Sequence, residues 1–92
     1  MATNSWINVL GGLNGLTLHS LTDGDDFNSC TSTGIYNADN SKNVSNRPGT
    51  GSCDVICIAR SGTQWLQIAY NFSGDIYIRR CWGGTPNAWK QL

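Results

Sequence analysis

From Cys53 to the last residue the chain reads as short apolar segments cut by turns at intervals of about ten residues. CDVICIAR (53–60) breaks at Ser61-Gly62, QWLQIAYN (64–71) at Ser73-Gly74, DIYIRRCW (75–82) at GGTPNA, and AWKQL (88–92) follows. Short strands at this spacing with glycine turns make an antiparallel all-β fold. The acids agree: all 6 are Asp and there is no Glu, a usage that suits turns and disfavours helix interiors.

Upstream the pattern is less regular. SWINVL (5–10) reads as a first strand closed by Gly11-Gly12. LNGLTLHSL (13–21) fits neither the helical nor the strand period and is expected as a packed irregular segment or short strand. TDGDDFN (22–28) can form one helical turn capped by Thr22 or Asp23, and TGIYNA (33–38) a short strand. Residues 37–52 contain almost nothing apolar beyond Ala38 and Val44, so they are expected as a long surface loop, of the kind that often carries function. The fold expected is a small antiparallel meander or sandwich with a short irregular or one-turn helical segment. It occupies a single domain, 1–92, in which residues 1–24 are an N-terminal strand and connector.

A chain of 92 residues buries only about two thirds of the surface it exposes when unfolded, so its own core is marginal. Disulfides, a metal or neighbouring subunits normally make up the difference. Cys30, Cys53, Cys57 and Cys81 allow three disulfide pairings or a four-ligand zinc site. Spacing weighs against both, because four residues of extended chain separate Cys53 from Cys57 by about 13 Å. Cys57 and Cys81 stand where alternation places an apolar residue, and a free Cys packs as a small hydrophobe, so buried thiols are expected. Neighbouring subunits remain. In DVICIAR, Ile56 and Ile58 face one way and Val55, Cys57 and Ala59 the other, so both faces are apolar. Either the long loop covers the second face or another copy of the chain does, and strand 53–60, through Val55 and Ile56, is expected in that contact.

Six Lys+Arg against 6 Asp+Glu, with no basic cluster beyond Arg79-Arg80, argue against a nucleic-acid partner. No apolar stretch approaches the ~20 residues that span a bilayer, and MATNSWINVL lacks the basic start and long apolar run of a signal peptide, so membrane insertion and Sec export are not expected. Catalytic groups are scarce. His19 is the single His and reads as structural, no nucleophile elbow or zinc-protease motif occurs, and nothing singles out a pair among the Asp residues. Asp23, Asp25 and Asp26 offer oxygens to a cation, but an EF-hand-type loop needs an oxygen ligand where Phe27 stands and a closing Glu. No catalytic residue, metal ligand or cofactor is assigned, and the chain is expected to bind rather than to catalyse.

For binding it is better supplied. Trp65, Tyr70 and Tyr77 lie within strands and are expected in the core. Trp82 and Trp89 flank the Gly/Pro loop, where core and rim positions are equally open. Trp89 with Leu92 is expected to seal the end of the core. Arg80, Trp82, Gly83, Gly84 and Asn87, with parts of the 37–52 loop, are expected to form an exposed aromatic and cationic rim. Stacking faces and planar hydrogen-bonding groups of this kind suit a sugar ligand.

The order of motifs resembles the pyocin-knob type domain of contractile-tail and phage tail fibres. Asp26-Phe27-Asn28 falls on that family's first element and Gly34-Ile35-Tyr36 on its second. Gly74, Ile76, Tyr77 and Arg79 fall on the third, and Trp89 and Leu92 on the closing one. The resemblance covers residues 25–92, which it makes a knob-like module; Trp82 stands seven residues before Trp89, where the family has three. It implies a closely packed or intertwined homotrimer at the C-terminal part of a virion tail fibre, made in the host cytoplasm. The function implied is receptor binding to a bacterial surface glycan such as lipopolysaccharide; the alternative is a purely structural trimerisation or folding knob with the receptor site elsewhere.

Overall fold

A computed structural model describes residues 16–92. They form one seven-stranded sheet: β1 (Leu18–Ser20), β2 (Gly34–Ala38), β3 (Cys53–Ser61), β4 (Gln64–Asn71), β5 (Ile76–Trp82), β6 (Thr85–Pro86) and β7 (Lys90–Gln91). β2, β3, β4 and β5 are an antiparallel meander, as the glycine turns require, and both β6 and β7 pair with β5. β1 joins β2 in parallel, after which residues 21–33 cross over the sheet. The fold is all-β, and among the described residues no helix is long and apolar enough to cross a membrane. The strand expected at 5–10 lies outside the described residues.

Two boundaries differ from expectation for local reasons. The helical turn is a single 3-10 turn, Phe27–Ser29, capped by Asp26, whose Oδ1 accepts from Asn28 N at 2.8 Å. Thr22 and Asp23 are taken up elsewhere: Thr22 N donates to Asp25 Oδ2 and Asn43 N to Asp23 Oδ1, at 2.8 and 2.7 Å, so these acids tie turns together. The last strand is shorter than 88–92 because only Lys90 and Gln91 pair, with Ile78 and Tyr77.

One face of the sheet holds the core. Val55, Cys57, Trp65, Ala69, Cys81 and Tyr36 are buried there. What covers them is irregular chain, not a second sheet: Phe27 and Cys30 from the crossover and Val44 from the long loop. Irregular chain buries carbonyls that need donors, and Arg47 supplies them. Its Nη1 donates to Ala38 O and Gly51 O, at 3.3 and 3.0 Å, and its Nη2 to Asp39 O at 2.8 Å and to Lys42 O. Of the loop's few apolar residues Val44 and Pro48 are buried, and the Arg47 guanidinium ties its backbone.

The opposite face is uncovered by any described residue. Leu18, Ile35, Ile56, Ile68 and Ile78 stand in register across β1 to β5, with Ile58, Leu66 and Arg80 in the next row. Ile58 is 55% exposed, and Ile56, Ile68, Ile76 and Tyr70 are exposed as well. The doubly apolar strand is thereby resolved: the crossover and the long loop together cover the face of Val55 and Cys57, and Ile56 and Ile58 meet solvent. Val55 is a core residue, so of the two contact residues expected in β3 only Ile56 faces outward. Tyr70, expected in the core, is on the open face. All four cysteines are buried and free.

Candidate binding surfaces

β5 reads IYIRRCW, and strand alternation sends its two adjacent arginines to opposite faces. Arg79 points inward, where it is 6% exposed. Its Nε donates to Gln67 Oε1 and its Nη1 to Asn28 Oδ1, both at 2.8 Å. Gln67, fully buried on β4, turns its amide nitrogen to Phe27 O and Cys30 O at 3.1 and 3.0 Å, so the same pair pins the 3-10 turn to the sheet. Two indoles flank the guanidinium, Trp65 with its centroid 5.2 Å and Trp89 with its centroid 4.5 Å from Cζ. Among the described residues Nη2 is buried without a hydrogen-bond partner. Desolvation pulls the Arg79 pKa below its ordinary value, and the Asp26 charge opposes that shift.

Beside Arg79 a groove of about 410 Å³ opens between the long loop and the segment after β6, lined by Asn28, Asn46, Arg47, Asn87 and Trp89. Asn46 has φ +60°, a left-handed conformation that Asn tolerates better than most residues. That places its carbonyl to accept from Trp89 Nε1 at 2.8 Å and its Nδ2 to donate to Asp26 Oδ1 at 2.8 Å. Trp89 is half-buried against the core, as expected, but Leu92 is 72% exposed and does not seal it.

The five rim residues fall in two places. Arg80 and Trp82 lie on the open face, in a depression with Ile58, Arg60 and Leu66 that contains no residue of 37–52. Trp82 is 62% exposed. Gly83 and Gly84 form the two-residue turn between β5 and β6, with φ +75° and +87°. Positive φ at both positions is what a twisted two-residue hairpin needs, so their presence is explained by the turn itself. Asn87 sits between the two regions, beside Arg80 on one side and on the other lining the Arg79 groove together with Asn46 and Arg47. The loop 37–52 therefore shares a groove with Asn87 but not with Arg80 or Trp82. Arg79 and Gln67 were not singled out as site residues; the signal was their inward parity, Arg79 between Tyr77 and Cys81, and Gln67 between Trp65 and Ala69.

No protein-family model matches the chain, and no curated protein matches it. Among solved structures the fold is similar to a C-terminal fragment of the P. aeruginosa R1 pyocin fibre, with a TM-score of 0.72 and 21% sequence identity. The match covers 80% of this chain and 21% of that one, so the chain spans about a fifth of the fibre fragment.

Proposed function

We propose that this chain is a receptor-binding module of a phage-tail-like fibre, assembled as a homotrimer and binding a bacterial surface glycan such as lipopolysaccharide without catalysing a reaction. The observation that carries this reading is the row Leu18, Ile35, Ile56, Ile68 and Ile78 on a sheet face that no described residue covers, in a fold similar to that of a pyocin fibre fragment. Contiguous apolar surface of this kind marks an interaction site. A second copy supplies the same chemistry, and a symmetric assembly provides the burial that a chain of this size lacks. The trimeric count comes from the sequence resemblance to tail-fibre knobs, as do the virion location and synthesis in the host cytoplasm.

Sugar recognition is assigned to the end of the sheet where β5 runs out. Trp82 offers an exposed stacking face and Arg80 a planar donor, both beside a rigid hairpin turn. Single sites of this kind bind at millimolar to micromolar affinity, and three copies raise the total through avidity. The test is a glycan array probed with the purified protein. Binding lost in Trp82→Ala and in Arg80→Ala supports the rim, whereas an assembled protein that binds no glycan favours the structural knob, a reading supported by how much exposed apolar surface serves assembly alone.

A further inference from the structure

We infer that the groove beside Arg79 is a second binding site, one that takes an oxyanion, the carboxylate or phosphate group of an acidic sugar. It opens on the inward side of β5, opposite the face that carries Arg80 and Trp82. None of its lining residues belongs to the apolar rows of the open face, although Asn87 and Ala88 also border a depression there with Leu66 and Ile78.

The first ground is an unsatisfied cation. Arg79 is held by two neutral amide oxygens, from Gln67 and Asn28, and no carboxylate is among its hydrogen-bond partners. Buried charges are ordinarily paired, because desolvation is costly unless a counter-charge or full hydrogen bonding offsets it. The indoles occupy the two faces of the guanidinium, Nε and Nη1 are used, and Nη2 is left with nothing to donate to. The second ground is shape. The groove beside this arginine is rimmed by Asn28, Asn46 and Asn87, whose amides suit the hydroxyls and anionic oxygens of a sugar acid. The depression of the Arg79 pKa by burial has the same physical origin, and an anion there reverses it.

Nη2 is shielded from solvent, so the ligand reaches it by shifting a covering side chain. Trp89, which lines the groove, is the side chain to which the shift is assigned. Its ring lies over the guanidinium, and a single hydrogen bond, to Asn46 O, fixes the indole nitrogen. The Trp89 indole N–H is therefore a reporter of occupancy as well as a lining group.

The experiment is a proton–nitrogen NMR titration of the whole chain with glucuronate, glucose 1-phosphate, inorganic phosphate and glucose. Glucuronate, glucose 1-phosphate or both should shift the Arg79 Nε and Trp89 Nε1 resonances saturably, and glucose should not. Saturation by glucuronate alone identifies a carboxylate site, and saturation by both sugars a general oxyanion site. Equal saturation by inorganic phosphate supports recognition of the anion alone, whatever carries it. Asn87 is exposed, so Asn87→Asp leaves the fold intact and sets a like charge at the groove; it should weaken binding at least tenfold. The inference is overturned if no acidic compound saturates, if glucose matches them, or if Asn87→Asp binds as well as the native chain.

Discussion

Gln67 and Arg79, facing each other across β4 and β5 in register, share a 2.8 Å hydrogen bond inside a mostly apolar layer. Through the other end of its amide, Gln67 also holds Phe27 O and Cys30 O. Gln67→Leu fills similar volume but orphans the Arg79 Nε and the Cys30 carbonyl, while the Phe27 carbonyl keeps the Cys30 N–H. It should cost about 3 kcal/mol, since each buried unsatisfied group costs about 1–3 kcal/mol. Urea unfolding at fixed protein concentration measures this, and a loss below about 0.5 kcal/mol would show that the network carries little stability.

Gly49 supports a second stability prediction. Its φ is +66°, and a Cβ there would lie 2.5 Å from the Tyr77 hydroxyl and 2.6 Å from Asn71 Nδ2. Gly49→Ala adds left-handed strain to a clash with a buried asparagine, and should destabilise by about 2 kcal/mol. Gly62→Ala is the control, because a Cβ at Gly62 meets nothing and its φ is not in the left-handed region. Equal melting temperatures for the two variants would contradict the crowding at Gly49.

The buried thiols give a pH dependence with a definite sign. Burial pushes Cys30 up to about 12 and Cys57 up to about 11, from an ordinary 9.0. A folded-state value above the unfolded one favours the neutral thiol. The resulting stability is fully present below pH 9 and is lost as pH rises through 11 to 12. Stability should therefore fall on the alkaline side, and alkylation of the native protein at pH 8 should be slow, with all four cysteines labelled once unfolded. Rapid labelling of Cys30 or Cys57 in the native state would refute this.

The meander was legible because glycine turns and alternation are local signals, and β2 to β5 appear where those signals place them. The thiols were legible for the same reason: Cys57 and Cys81 occupy inward positions of alternating strands. What sequence could not show was which irregular segment covers which face. Val55 and Ile56 are both apolar, and only the placement of the crossover and the long loop on one face distinguishes core from open surface. How the long surface loop is held was not legible, because Arg47 acts through backbone carbonyls that leave no residue-type signature. Arg79 and Arg80 are identical in type, and alternation separates a buried network member from an exposed rim residue. The split of the rim follows from the β5–β6 hairpin, which turns the chain at Gly83 and Gly84 and brings Asn87 back beside Arg80, away from Trp82.

Trp82 and Arg80 sit outside the core, so Trp82→Ala and Arg80→Ala should each change folding stability by less than about 0.5 kcal/mol while altering surface binding. A cooperative loss of fold in Trp82→Ala would mean that the ring packs against something the single chain does not provide.

If copies of this chain meet on the open face, with Ile35, Ile56, Ile68 and Ile78 in one row, sedimentation equilibrium should detect the assembly. At micromolar concentration the native protein should sediment with three times the mass of one chain. Ile68→Asp, at the middle of the row, should sediment as a monomer that keeps its β-sheet circular dichroism, because a carboxylate buried in an apolar contact costs several kcal/mol. A native protein that is a stable monomer at that concentration, or an Ile68→Asp variant that still assembles, would contradict the account.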